Sequence, residues 1–290
     1  MSSSAGLPST IATLTDARAL EANAIRPETE CGDSKMVWRV WGEGSPIVLV
    51  HGGSGSWAHW VRNIAPLVEA GRAVYAPDLP GCGDSANPPV GDDGDVLPQW
   101  IEKGAQALLG DAAFDLVGFS FGAMVSGFFA AQYPHRVRRL LLVGAPALSG
   151  AGFTKIRLQE WLRLPDGPQR EAAFRHNLRC LMLAQDGSVD ELSLTLYVES
   201  LKRDRLTRRR LAGTDVLFRT LPQIRCPVWG IWGAEDVLYR GRFDVVRSAL
   251  EHAPAFRSLT LIPRAGHWVQ FEAAEAFNEA LRSFLWSGVA

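Results

Sequence analysis

The sequence predicts an α/β protein, a mostly parallel twisted sheet flanked by helices, with a helical cap inserted into it. Three observations carry that expectation. Short apolar runs alternate with helical patterns along the chain, as they do when helices form the crossovers of a parallel sheet. Lys35 to Trp41 instead sets the charged residues Lys35 and Arg39 among apolar ones, and is read as a strand near a sheet edge. Between Gly144 and Pro227 the spacing is helical and no convincing strand occurs, a stretch too long for a plain crossover.

In chain order, buried strands are expected at Pro46 to Val50, Ala73 to Ala76, Phe114 to Val117, Leu140 to Val143, Val228 to Trp232 and Leu259 to Ile262. Each is a near-continuous apolar run, which suits strands covered on both faces. The strand at Lys35 to Trp41 that precedes them makes the sheet mixed at its start. The pattern divides the chain into a mobile N-terminal tail (1–12), a first part of the core (13–146), the cap insertion (147–212) and a second part of the core (213–290). Inside the cap, Lys202 to Arg205 and Arg208 to Arg210 form a basic stretch read as a solvated helix face. The acidic loop Gly91 to Asp95 lacks the spaced oxygen donors of a calcium site and is read as surface.

Composition narrows the function. A chain of 290 residues, nearly half of them apolar, can bury one large core. Its net charge of −1 offers no long-range attraction to nucleic acid or an anionic membrane, so the expected partner is a small molecule. The four cysteines, Cys31, Cys82, Cys180 and Cys226, form no C-x-x-C pair, which points away from zinc and toward reduced thiols in a cytoplasmic protein. No signal peptide or membrane-length apolar segment is evident.

The chemistry concentrates at predicted strand ends. Gly118-Phe119-Ser120-Phe121-Gly122 follows one strand and opens an apolar helix that Tyr133-Pro134 stops. Such a turn presents a serine at strained dihedrals, with glycine on each side because a Cβ there would collide. The helix behind it aims free N–H groups at the serine. Ser120 as nucleophile requires a base, an acid to orient that base, and oxyanion donors. His267 lies in Arg264 to Trp268, just past the last strand, and is the expected base. Asp236 in Gly233-Ala234-Glu235-Asp236 is the expected acid, with Glu235 second. The glycine-rich loop His51 to Trp57 supplies a backbone N–H, that of Gly53, to pair with the N–H of Phe121 as an oxyanion hole. Its glycine spacing fits neither a P-loop nor a dinucleotide fold, so no nucleotide cofactor and no metal is expected.

Together the H-G-G loop, the Gly-Phe-Ser-Phe-Gly elbow, Trp-Gly-Ala-Glu-Asp and Gly-His-Trp resemble the α/β-hydrolase superfamily over nearly the whole chain after the tail. Asp78 to Ser85 is similar to a structural loop of that family. The resemblance implies that His51 supports the oxyanion loop by hydrogen bonding. Trp57, Phe119 and Trp268 are expected to line an apolar pocket for an apolar or aromatic substrate. Surface or structural roles are expected for His59, His135, His176 and His252, and a packed thiol for Cys82.

A serine at the elbow, where dehalogenases and epoxide hydrolases of this fold carry aspartate, favours acyl chemistry. Hydrolysis of a small carboxylic ester through an acyl-enzyme is the first expectation. Gly266 to Glu272 is also similar to the histidine segment of meta-cleavage-product hydrolases, which split carbon–carbon bonds in vinylogous diketones. Those enzymes usually carry asparagine where this chain has Phe119. Carbon–carbon hydrolysis is therefore the alternative, and a non-catalytic ligand-binding homologue is the second.

Overall fold

A computed structural model describes residues 7–8, 10–149, 156–206 and 208–286. The strands are β1 (Glu28–Cys31), β2 (Ser34–Trp41), β3 (Ser45–Val50), β4 (Arg72–Pro77), β5 (Phe114–Phe119), β6 (Val137–Val143), β7 (Val228–Gly233) and β8 (Phe256–Ile262). The helices are α1 (Leu14–Ala22), α2 (Ile64–Glu69), α3 (Pro98–Leu109), α4 (Phe121–Gln132), α5 (Pro168–Leu181), α6 (Glu191–Lys202), α7 (Val216–Thr220), α8 (Phe243–Leu250), α9 (Val269–Glu272) and α10 (Ala274–Trp286).

The strands form one sheet in the order β1-β2-β4-β3-β5-β6-β7-β8. β2 pairs antiparallel with both β1 and β4, and every later pairing is parallel. The expected mixed start is thus present. The sequence reading did not include β1, whose four residues alternate between exposed and buried and carry two glutamates.

Burial on the sheet follows strand alternation. Ile47 and Leu49 of β3 face one core cluster with Val117, Phe119, Leu141 and Trp60. Val48 and Val50 face the opposite one with Leu116, Met124, Phe129 and Leu142. α4 is buried along most of its length, which explains an apolar composition too uniform for a surface helix. β8 is the sheet edge and is largely exposed.

Topology places the site. From β3 the chain moves outward to β4, then returns to β5 on the other side of β3. The carboxyl ends of β3 and β5 therefore flank a switch in winding direction, where open parallel sheets leave a crevice. The loop after β3 begins at His51 and the turn after β5 is Ser120.

α5 and α6 lie in the β6–β7 connection, in the stretch expected to be a cap. The expected mobile tail falls partly outside the described residues, on residues 1–6 and 9. Ile11, within the same segment, is buried, and Arg62 donates to its carbonyl at 3.1 Å.

The basic stretch is not one solvated helix face. α6 ends at Lys202, and the arginines beyond it fasten the insertion to the loops beneath. Arg203 pairs with Asp84 at 2.8 Å, Arg208 with Asp92 at 2.9 Å, and Arg205 donates to the carbonyls of Gly83 and Ser85. The acidic loop is the other half of that fastening. Asp93 accepts from the Leu211 N–H at 3.1 Å. No helix among the described residues is long and apolar enough to cross a membrane.

Candidate active site

Ser120 sits at φ 52° and ψ −122°, a region that side chains rarely occupy and that costs about 1–3 kcal/mol. The turn is held by its own backbone. Ser120 N–H donates to Val143 O at 2.8 Å, and Ser120 O accepts from Ala123 and Met124. A Cβ on Gly118 would lie 2.5 Å from Gly122 O, and one on Gly122 would lie 2.6 Å from Val50 O. Only glycine fits at either position.

His267 comes in from the loop after β8. Its Nδ1 lies 2.8 Å from Asp236 Oδ2 and its Nε2 lies 2.8 Å from Ser120 Oγ. The carboxylate can only accept, so Nδ1 carries the proton and Nε2 accepts from the serine hydroxyl. Asp236 is fully buried, and its other oxygen accepts from the Leu238 N–H at 3.0 Å. Gly144 forms the floor, with space for a Cβ only 3.2 Å from the His267 ring. Glu235, the second candidate for the acid, points to Arg240 instead.

The loop after β3 lies alongside. His51 Nδ1–H donates to Gly52 O at 2.7 Å, while its Nε2 accepts from the Leu79 N–H at 2.8 Å. Burial lowers the His51 pKa, with Asp78 opposing, so the ring is a neutral brace. A Cβ on Gly53 would lie 3.5 Å from Phe121 Cβ, which brings the two expected oxyanion donors together. Neither the Gly53 nor the Phe121 N–H has a protein acceptor among the described residues. Asp78 holds this loop from below, accepting from the Trp57 N–H at 2.9 Å and from buried Arg39 at 3.0 Å.

The aromatics expected to line the pocket border neither of the two cavities beside Gly53 and His267. Trp57, Phe119 and Trp268 are all buried: Trp57 packs on Trp41, Phe119 lies under the His267 ring, and Trp268 stacks on Phe271. A cavity of about 350 Å³ opens over Gly53, walled by His59 and by Trp161, Leu181, Met182 and Tyr197. A second, of about 360 Å³, lies against Gly266 and His267, rimmed by Arg179, Glu235 and Arg240. Leu181 borders both.

Sequence reasoning also missed Arg209. It pairs with Asp204 at 2.7 Å, its Nε lies 3.1 Å from where a Gly53 Cβ would be, and its guanidinium lies over the Phe121 ring. Its only sequence signal was membership of a charged run. Cys82 is buried and its thiol is pushed up to about 12, chiefly by desolvation and then by Asp204, so it is no second nucleophile. The four cysteines are free. No group of three or more His, Cys, Asp or Glu among the described residues is placed to hold a metal.

A nucleophile-elbow turn, a hydrogen-bonded Ser-His-Asp row and a parallel sheet with this strand order describe one class of enzyme. Residues 45–274 match the model of the alpha/beta hydrolase fold family, and the chain belongs to that family as a hydrolase. Among curated relatives, a 2-hydroxy-6-oxo-6-phenylhexa-2,4-dienoate hydrolase of Burkholderia cepacia is 30% identical over 263 residues, spanning 85% of this chain and 90% of that protein. A 2-hydroxy-6-oxononadienedioate/2-hydroxy-6-oxononatrienedioate hydrolase of Comamonas testosteroni is 29% identical over 263 residues, spanning the same shares, 85% and 90%. Among solved structures, a meta-cleavage product hydrolase of Pseudomonas fluorescens IP01 superposes with TM-score 0.69 at 23% identity, covering 89% of this chain and 97% of that one. An esterase of Rhodococcus sp. superposes with TM-score 0.72 at 22% identity, covering 91% and 99%.

Proposed function

We propose that this hydrolase works through an acyl-enzyme on Ser120 and that its substrate is cleaved at a carbon–carbon bond next to a ketone. The observation that carries the catalytic part is the pair of 2.8 Å contacts that join Ser120, His267 and Asp236. His267 takes the Ser120 proton as Oγ bonds to the carbonyl carbon. The negative charge falls on an oxygen held by the N–H groups of Gly53 and Phe121. The tetrahedral intermediate collapses by breaking the bond to the departing carbon, whose electron pair spreads into the conjugated ketone as an enolate and takes the proton held by His267, returning that ring to its neutral form. Water, deprotonated by His267, then releases the acid and regenerates the serine.

Support for carbon–carbon cleavage over the ester first expected comes from the named activities of the relatives. Ester hydrolysis is the second reading, and Phe119 favours it. The residue before the nucleophile is a buried phenyl ring packed on His267 with its centroid 5.0 Å away, so it offers no hydrogen bond to a dienolate.

Two assays separate these readings. A fluorophosphonate probe is expected to label wild type and not Ser120→Ala; equal labelling of the two sinks the serine mechanism. Wild type is expected to bleach a coloured ring-fission diketone. Fast cleavage of p-nitrophenyl esters with that chromophore left intact gives ester hydrolysis instead.

A further inference from the structure

His59 was expected to be a surface or structural residue, yet it is one of the most constrained side chains beside the site. It is 4% exposed, on the short turn Trp57–Trp60 that follows the loop after β3. The Gly52 N–H donates to its Nδ1 at 3.1 Å. A nitrogen that accepts from an amide is unprotonated, so a neutral ring must carry its proton on Nε2. The ring is also kept neutral. Burial lowers its pKa well below the ordinary histidine value, and nearby His51 and His267 push the same way.

Its surroundings fix its direction. Phe119 and Trp268 pack against it edge-on, with centroids 5.2 and 5.1 Å away, and the Trp268 indole N–H donates to its carbonyl at 2.9 Å. A Cβ on Gly55 would lie 2.3 Å from Cε1, so the loop closes over that edge of the ring. Nε2 has no protein acceptor among the described residues, and the ring forms part of the wall of the 350 Å³ cavity over Gly53.

We propose that His59 is a substrate-binding residue whose Nε2–H donates to a neutral carbonyl oxygen on the acyl part of the substrate, away from the carbonyl that Ser120 attacks. This rests on the acyl-enzyme reading and adds the class of acyl group. A neutral acceptor fits better than an anion because, among the described residues, the charged side chain lining this cavity is Glu160, and the neighbouring Arg209 is already paired with Asp204. Asn177 and Ser54 there are already occupied. Asn177 spends both ends of its amide on the Gln159 backbone, and Ser54 donates to Asp204. The same ring also holds Gly52 in place through Nδ1, so its two nitrogens have separate duties.

Those duties can be separated by substitution. Asparagine places an oxygen near the Nδ1 position and has no group at Nε2; glutamine places an N–H near Nε2. The measurement is kcat/KM for p-nitrophenyl esters of 4-oxo, 5-oxo and 6-oxo alkanoic acids, each divided by the value for the alkanoate of equal length. This ratio cancels any general loss of rate. For one member of the series, wild type is expected to show a ratio of about tenfold or more. His59→Gln should retain it and His59→Asn should bring it close to one. A wild-type ratio near one for all three chains overturns the proposal, and so does a ratio that survives in His59→Asn. The same follows if Tyr197→Phe, and not His59→Asn, abolishes the ratio, because the Tyr197 hydroxyl shares the cavity. If both His59 variants fail to fold, the ring's 15N resonances in wild type decide: a proton on Nδ1 overturns the proposal. Failure of the acyl-enzyme reading looks different, since alkanoate turnover would then persist in Ser120→Ala.

Discussion

Gly122 lies so close to His51 that a Cβ on it would be 2.2 Å from the His51 carbonyl oxygen. The helix that follows Ser120 and the end of β3 are therefore in backbone contact. Gly122→Ala is expected to lose several kcal/mol of stability or fail to fold, as overpacking against backbone does. A variant with wild-type melting temperature and turnover would show that this contact is not needed.

Asp236→Asn tests the orientation of the base. The carboxamide fills the same space, but it no longer demands a proton on His267 Nδ1, so Nε2 is no longer held ready to accept from Ser120. Turnover is expected to fall by about 10⁴, with the melting temperature little changed. A loss below tenfold would remove Asp236 from the proposed mechanism.

Asp78→Ala tests the support under the oxyanion loop. It leaves the fully buried guanidinium of Arg39 short of a partner and orphans the Trp57 N–H. Removing one member of a buried pair costs roughly 3–5 kcal/mol. For a chain of this size that is a fall of about 10 °C in Tm. A shift within a degree or two would mean that Glu21 and Asp84, which also contact Arg39, neutralise it alone.

His51 and His59 make stability depend on pH. Both are lowered in the folded chain, chiefly by burial. Below the ordinary histidine pKa of about 6.5 the unfolded chain takes up protons that the folded rings refuse. Their contribution is therefore full above that value and declines as pH falls through it toward their folded values, by about 1 kcal/mol per unit for each ring. The urea midpoint is expected to drop between pH 7.5 and 5.5. An unchanged midpoint would contradict two neutral buried rings.

The parts of this molecule that could be read from sequence are those where the backbone dictates the residue type. Apolar runs marked β3 to β7 because both faces of each are covered. Gly118 and Gly122 marked the turn because nothing larger fits. Ser120, Asp236 and His267, which the structure brings into hydrogen-bonding distance, stood out because each follows a strand. The cavity walls had no such mark. Trp161, Leu181 and Tyr197 meet over Gly53 only because α5, α6 and their connections fold back over the sheet, and no local rule distinguishes a tyrosine facing a cavity from one facing the core. Arg209 was hidden in a charged run because its partner, Asp204, and its neighbour, Gly53, are set by tertiary contact. His59 was hidden by a sound general rule, that a lone histidine without an acidic partner is structural. The rule overlooks a backbone N–H as the partner.

The helical insertion between β6 and β7 carries a further implication. Ser120 and the oxyanion loop precede it, Asp236 and His267 follow it, and much of the upper cavity wall lies within it. The proposed reacting groups and much of the cavity wall are thus written in separate stretches of the gene, with Gly53, Ser54 and His59 the parts of the wall that precede the insertion. Insertions, deletions or exchange of the segment between them can recast what the enzyme accepts while leaving the triad's own codons untouched.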